Sequence, residues 1–277
     1  SLIYEINDQN RVRIAYTLDH ARHRQTGEVD FIGINGQTVN PFPSDSPILD
    51  AAGNPLQKRD RLSYAILNQV SGEYLGRFMD DRLIVNVGLR APFFKRDLTQ
   101  GCFTTNASGS VTCFSGNSAA ETLYAAANPT YVGPTSKVFN YSRLLPNLGF
   151  NFNFAGDFNL FANYSKNISV PGTDNLYNAF WFRDAAGSKP DPETTDSFDL
   201  GVRYAHSDVV VAQLAGWFTK FHNRLASAYD VDLNQTVYRN LGNVDKYGID
   251  GSVAWRPMKE VTLYGFASWQ KSKIADD

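Results

Sequence analysis

The chain has 277 residues, with 26 basic and 28 acidic side chains and a formal charge of -2. That near balance offers no broad electrostatic attraction for nucleic acid, so no nucleic-acid partner is expected. No run of about 18 apolar residues occurs, which excludes a transmembrane helix but not a membrane: barrel strands cross lipid in about 9 to 11 residues and keep half of them polar.

The chain opens on Ser1-Leu2-Ile3-Tyr4-Glu5 with neither a basic region nor an apolar signal core, and reads as the middle of a strand. Either a signal was removed or the chain is a fragment. Ten segments of period 2 then follow in order. Leu2, Tyr4 and Ile6 share the apolar parity of the first, and Val12, Ile14, Tyr16 and Leu18 that of the second. The third carries Val70, Tyr74 and Phe78, and the fourth Leu83, Val85, Val87 and Leu89. The clearest is the fifth, where Leu148, Phe150, Phe152 and Phe154 alternate with Asn147, Gly149, Asn151 and Asn153. Phe158 to Tyr164, Phe198 to Tyr204, Val210 to Phe218, Tyr247 to Trp255 and Val261 to Trp269 complete the set, with Val209, Val211 and Trp217 blurring the polar parity of the eighth.

The connections alternate as well. Asn7–Asn10, Met79–Asp81, Ala155–Asp157, His206–Asp208 and Pro257–Lys259 are tight turns of Gly, Asn, Asp or Pro character. Long excursions near 21 to 61, 99 to 136, 171 to 194 and 225 to 240 lie between them. Short turns at one end and long loops at the other are the pattern of an outer-membrane barrel. Aromatic residues near segment ends (Tyr16, Phe78, Phe154, Phe158, Tyr204, Trp255) fall where interfacial girdles belong. The expected fold is therefore all-β, an up-and-down antiparallel transmembrane β-barrel segment of about ten strands. A soluble β-sandwich or propeller is the alternative, in which the same apolar parity meets a second protein layer.

Cys102 and Cys113 flank a short polar stretch. A disulfide closing that loop, which implies an oxidising compartment, is favoured over two free thiols.

A family resemblance enters at Lys189-Pro-Asp-Pro-Glu-Thr-Thr-Asp-Ser-Phe-Asp-Leu-Gly-Val-Arg-Tyr204, which resembles, with one extra residue, the L-K-P-E-x-S-x-x-Y-E-L-G-x-R stretch of TonB-dependent receptors. Downstream, Ala215 to Leu225 is similar to the strand of that family ending in Asn before an extracellular loop, and Tyr238 to Gly251 to its N-x-G-x-V-x-x-x-G-x-E segment. Upstream, Leu160 to Lys166 resembles the strand before the loop that carries Phe-Arg-Ala-Pro in haem receptors; here that text is Ile168-Ser169-Val170-Pro171, which argues against haem. These matches cover about 145 to 270, and residues 1 to 144 fit by rhythm alone. The resemblance implies a 22-stranded barrel in the bacterial outer membrane, filled by an N-terminal plug. Such a barrel takes up a ferric siderophore or similar large nutrient when TonB, with ExbB and ExbD, pulls on the plug. Neither plug nor TonB box is visible, so residues 1 to 277 are expected to be one internal barrel segment lacking the plug domain and the C-terminal strands.

His20 and His23 would point to opposite faces of a strand, and His222 stands alone, so no metal site is expected. No catalytic or phosphate-binding spacing appears, and neither an enzyme nor a cofactor is expected. Arg13, Glu73, Arg77, Arg90, Asp199, Arg203, Asp250 and Arg256 fall on the polar parity and would line the lumen. In the third excursion Tyr177, Phe180, Trp181, Phe182 and Arg183 are the candidate ligand contacts, aromatics with one Arg suiting an anionic, partly apolar ligand. A passive porin-like channel and a soluble binding domain are the competing functions.

Overall fold

A computed structural model describes residues 1–51, 53–104, 111–114, 116–177, 191–231, 235–240 and 242–275. Its elements in chain order are β1 (Leu2–Asn7), β2 (Asn10–Glu28), β3 (Gln57–Phe78), β4 (Leu83–Gln100), β5 (Cys102–Thr104), β6 (Val111–Cys113), α1 (Ser118–Ala127), β7 (Thr135–Ser142), β8 (Leu145–Ala155) and β9 (Phe158–Ser169). After these come α2 (Thr173–Tyr177), β10 (Glu193–His206), β11 (Val210–His222), β12 (Leu225–Asp230), β13 (Gln235–Asn240), β14 (Asn243–Met258) and β15 (Val261–Ala275).

Ten strands form one antiparallel path, β1-β2-β3-β4-β8-β9-β10-β11-β14-β15, and correspond one to one with the ten alternating segments. Sequence neighbours pair directly except where β5–β7 and β12–β13 are set aside as loop structure. The sheet is open, with β1 and β15 as its edges. Register makes the alternation collective: Val12 faces Tyr74, Tyr74 faces Val87, Val87 faces Leu148, and Leu148 faces Tyr164. Tyr164 faces Phe198, which faces Phe218, which faces Tyr247. A one-residue slip at any step would turn a strand over, so one apolar face across ten strands requires every register to agree.

That face is uncovered. Leu200 is 57% exposed, Leu214 62% and Ile249 53%. Side chains of this size forfeit roughly 1.5–3 kcal/mol each when left in water, and water-soluble monomers rarely expose apolar patches above a few hundred Å². No second protein layer meets the face among the described residues, which removes the sandwich alternative; hydrocarbon is the medium that suits it. The apolar stretches have the length of a bilayer crossing: Val70–Phe78, Leu83–Ala91 and Val210–Phe218 each satisfy about 9–11 tilted residues.

The turns at the short end are built locally. Asn7 accepts hydrogen bonds from the Gln9 backbone N–H (3.0 Å) and from Asn10 Nδ2 (2.8 Å). Met79, Asp80 and Asp81 all adopt positive φ, between 53° and 63°, to reverse the chain between β3 and β4; Asp tolerates that region better than most residues.

At the other end the strands run on past the lipid-facing band. β2, β3 and β4 are 19, 22 and 18 residues long, so the first excursion begins at 29 rather than 21 and ends at 56 rather than 61. Above the bilayer both faces are wet and the alternation lapses, while backbone pairing such as Arg24 with Leu62 continues. The second excursion holds the β5–β6 hairpin, joined by a Cys102–Cys113 disulfide, and α1, N-capped by Asn117 accepting from the Ala120 N–H (3.2 Å). β7 then continues the line of β8 along β4: Ser142 pairs with Phe93 and Leu145 with Arg90, with the break opposite Pro92, which has no N–H for a ladder. The fourth excursion is the β12–β13 hairpin.

Candidate functional site

Of the eight charged residues expected on the lumen side, Arg13, Glu73, Arg77, Arg90, Asp199, Arg203 and Asp250 occupy register positions opposite the apolar face; Arg256 follows Trp255 at the end of the ladder, its N–H bonded to the Val209 carbonyl. Several are tied into the wall. Glu73 accepts from Asn86 Nδ2 at 3.0 Å, Arg90 Nη2 donates to Asn167 Oδ1 at 2.7 Å, and Ser268 donates to Asp250. Arg203 Nε donates to Gln213 Oε1 at 2.9 Å, and its guanidinium lies 4.2 Å from the centre of the Phe161 ring. Arg77 is 3.9 Å from Asp81 at the turn.

Arg13, Asp199 and Arg256 make no side-chain hydrogen bond or ion pair among the described residues. Arg13, Glu73, Arg90, Asn147 and Asn163 line a concave polar surface of about 470 Å³ on this face. Two aromatics lie on the same wall over glycines. A Cβ at Gly201 would come within 2.5 Å of the Phe161 ring, and one at Gly248 within 2.7 Å of Trp217, so the glycines let these rings lie flat against the sheet.

At the mouth, α2 turns inward and packs on the extended upper parts of β3, β4 and β7. Leu98, Phe139, Tyr141, Leu176 and Tyr177 form a buried cluster, with Phe94 and Val170 against it. Tyr177 is its keystone, 1% exposed. Its hydroxyl is 2.9 Å from Ser63 Oγ and 3.1 Å from the carbonyl oxygens of both Leu62 and Thr99. The Arg61 guanidinium covers its ring at 4.4 Å and stands 3.7 Å from Asp174 in the first turn of α2. Burial raises the Tyr177 phenol and lowers the Arg61 guanidinium from their ordinary values, and it pushes the Tyr141 phenol up to about 12.

Tyr177 was expected to meet ligand; its place is instead that of an anchor holding the loop against the wall. Phe180, Trp181, Phe182 and Arg183 lie outside the described residues. Ser63, Arg61, Leu98 and Tyr141 were not singled out from sequence, because they sit on the polar parity above the lipid band, where an apolar or buried residue breaks the alternation and carries no other signal.

The disulfide hairpin holds a second small cluster. The rings of Phe103, Phe114 and Tyr124 pack with centroids 5.0–5.9 Å apart, and Tyr131 lies 6.2 Å from Tyr124. A third tie links β10 to the next loop: Glu193 accepts from Arg224 Nη1 at 2.8 Å and from the Leu225 N–H at 3.2 Å. His20 pairs with Ile66 and His23 with Ser63, which puts them on opposite faces of β2. Among the described residues no three His, Cys, Asp or Glu are grouped to hold a metal.

Similar architectures occur among solved structures. The copper transporter OprC aligns with 96% of this chain and 36% of its own, at a TM-score of 0.67 and 14% identity. The FrpB iron transporter from Neisseria meningitidis aligns with 98% of this chain and 34% of its own (TM-score 0.59, 13% identity). The ferric yersiniabactin uptake receptor FyuA from Yersinia pestis aligns with 99% and 34% (TM-score 0.59, 13% identity). At such identity these likenesses establish fold, and the chain spans about a third of each of those proteins. No curated protein sequence matches. The TonB dependent receptor-like β-barrel family model matches residues 3–277, nearly the whole of the ten-strand sheet, and the chain therefore belongs to the TonB-dependent receptors, whose barrels reside in the bacterial outer membrane.

Proposed function

We propose that this chain is part of the barrel wall of a receptor that imports a ferric siderophore or a similar large metal-bearing nutrient, with energy delivered by TonB, ExbB and ExbD through a plug seated inside the barrel. The observation that carries this reading is the inner face. It presents Arg13 in a polar concavity with Arg90 and Glu73, and Asp199 and Arg256 further along the same wall; none of Arg13, Asp199 and Arg256 has a side-chain partner among the described residues. Charges left unpaired on one wall of a lumen suit a second polar surface that docks there. The loops support the same reading: α2 is folded onto the inner face of the wall at the mouth, where a ligand arriving from outside would first meet the protein. OprC is a copper transporter, FrpB an iron transporter and FyuA a ferric yersiniabactin uptake receptor, and a metal or metal chelate is accordingly the class of cargo proposed.

The test is uptake by cells carrying the full-length receptor under iron or copper starvation, with and without TonB. Accumulation of a labelled metal complex that needs both the receptor and TonB is the expected result. Accumulation independent of TonB, with steady ion conductance of the purified protein in planar bilayers, would instead assign a passive channel.

A further inference from the structure

The first long loop begins with a small hairpin of its own. Ile32 is bridged to Thr38, the Val39 N–H donates to the Phe31 carbonyl at 2.9 Å, and the Gly33 N–H donates to the Gln37 carbonyl at 2.7 Å. Its tip is Ile34-Asn35-Gly36, turned back by a bond of 2.8 Å from the Gly36 N–H to the Gly33 carbonyl. Gly36 has φ +77°, the left-handed conformation that closes a three-residue hairpin loop and that glycine adopts without steric cost. All three tip residues are exposed.

The glycine that the turn demands leaves the preceding amide open to attack. Asn35-Gly36 is the sole Asn-Gly pair in the sequence, and every other asparagine precedes a residue with a Cβ, which crowds the backbone nitrogen between them. At Gly36 even an added Cβ would meet nothing within 4 Å, so solvent reaches this nitrogen freely. The Asn35 carboxamide is held in place: its Oδ1 accepts from the Gln37 N–H at 3.1 Å and its Nδ2 donates to Gln37 Oε1 at 3.2 Å. The first of these bonds draws electrons from Cγ and makes it the better electrophile.

We propose that Asn35 is a site of spontaneous modification, at which the chain converts its own asparagine to aspartate and isoaspartate with water as co-reactant. The Gly36 nitrogen gives its proton to solvent base and bonds to Asn35 Cγ; the Cγ–Nδ2 bond breaks, Nδ2 leaves as ammonia, and a cyclic imide remains. Water then opens the imide. Addition at Cγ gives aspartate, and addition at the main-chain carbonyl of Asn35 gives isoaspartate, with the backbone rerouted through Cβ and Cγ. Nothing is oxidised or reduced. The Gly36 N–H must first leave the Gly33 carbonyl, which a hairpin held by a few exposed backbone bonds permits at little cost. Isoaspartate adds a carbon to the main chain at the tip, so the Gly33–Gln37 bond and the Ile32–Thr38 bridge no longer fit one loop. Either product adds an anion to residues 29–56, whose charged side chains are already Asp30, Asp45 and Asp50 with no Lys or Arg among them. The inference is independent of the cargo and of TonB.

The full-length receptor, purified in mild detergent, is aged at neutral and at mildly alkaline pH, digested, and mapped by mass spectrometry with fragmentation that separates isoaspartate from aspartate. Acid is expected to replace amide at Asn35 ahead of every other asparagine, with isoaspartate exceeding aspartate. Conversion should be faster at the higher pH, because the attacking nitrogen must lose its proton, and hydroxylamine should cleave the chain between Asn35 and Gly36 while the imide is present. Gly36→Ala should slow the conversion by at least about tenfold, equivalent to about 1.4 kcal/mol on the barrier. Because that Cβ also strains the turn, the second variant is Asn35→Gln, which keeps the glycine but needs a larger ring; its peptide should release no ammonia over the same time. Exchange protection of the Gly33 and Val39 amides should fall in step with isoaspartate. An Asn35 that stays amide in the folded receptor while converting in the urea-unfolded chain, a rate indifferent to Gly36→Ala, or acid appearing first at other asparagines would overturn the inference.

Discussion

Replacing Tyr177 by Phe isolates one polar atom at the point where the third long loop meets the wall. The hydroxyl has three neighbours at 2.9–3.1 Å, Ser63 Oγ and the carbonyls of Leu62 and Thr99. A phenol has one proton, so at any moment it donates to one carbonyl, or shares between the two, and accepts from the serine. Phe keeps the ring under Arg61 and the packing against Leu98 but strands Ser63 Oγ, which is in a residue only 2% exposed. Leaving a buried polar group without its partner costs about 1–3 kcal/mol. If α2 opens as a unit separate from the barrel, that cost corresponds to an opening equilibrium raised about 5- to 150-fold. Hydrogen exchange followed by peptide mass spectrometry on the full-length receptor reads it directly. Protection should fall across α2 and neighbouring β3 and β4 amides near Leu62 and Thr99, and stay unchanged in β10 and β11. Unaltered exchange in α2 would show that the hydroxyl does not hold the loop; uniform loss through the sheet would show that loop and barrel open together. Either result refutes the reasoning.

Facing can be tested by depth-matched arginines. Leu214→Arg, in the middle of the lipid-facing stretch of β11, should cost about 2–4 kcal/mol of barrel stability, whereas Ser252→Arg on the inner face should change it by less than about 1 kcal/mol, both measured by denaturant unfolding in lipid vesicles. Reducing the Cys102–Cys113 bridge should destabilise its hairpin by about 2–3 kcal/mol, as closure of so short a loop predicts. The measurement is faster proteolysis between 102 and 131 with unchanged heat-modifiable migration. Gly201→Ala should destabilise the wall by about 1–3 kcal/mol, because its Cβ would lie 2.7 Å from the Leu214 carbonyl as well as against Phe161; the paired control is Gly216→Ala, which meets nothing so close. Tyr141 ionises at about 12 in the folded mouth cluster, against 10.0 for a free phenol, because burial favours its neutral form. Its contribution is therefore complete below pH 10 and lost as pH rises from 10 through 12, so exchange in the cluster should accelerate over that range and Tyr141→Phe should flatten the profile.

The ten crossing strands were legible because lipid on one side and water on the other impose period 2 on every one of them. Once Leu148, Phe150, Phe152 and Phe154 are seen to alternate with Asn and Gly, no helix satisfies the text. Legibility ends where the lipid does. Ala21 to Glu28 continue β2 without alternation, since both their faces are wet, and the partners that hold them there are distant in sequence, from Ala65 back to Gln57 in β3. Leu98, Phe139 and Tyr141 interrupt a polar parity for a reason that appears only when α2 folds back upon them. Tyr177 was read as a ligand contact on composition, an aromatic beside others in a loop; composition does not distinguish an aromatic that greets a ligand from one that fastens its own loop.

Three of the four loops at the mouth are each closed by a device of their own. The second has a disulfide with a ring cluster, the third has Tyr177 beneath Arg61, and the fourth has the Glu193 clasp on Arg224 and Leu225. None of these uses the lipid-facing row, and none shares a residue with another. Contacts so separated contribute nearly additively, so one loop can change its sequence or length without weakening the other two or the sheet below. Barrel stability is then set by register and by the hydrocarbon boundary, and recognition by loops that are fastened one at a time. It follows that exchanging the third loop between two receptors of this family should carry its fastening with it: a graft that includes Arg61, Ser63 and the α2 segment through Tyr177 should fold with wild-type protection at the mouth, and one that omits Ser63 and Arg61 should not. Equal protection in the two grafts would mean that the loop is held by something other than the wall.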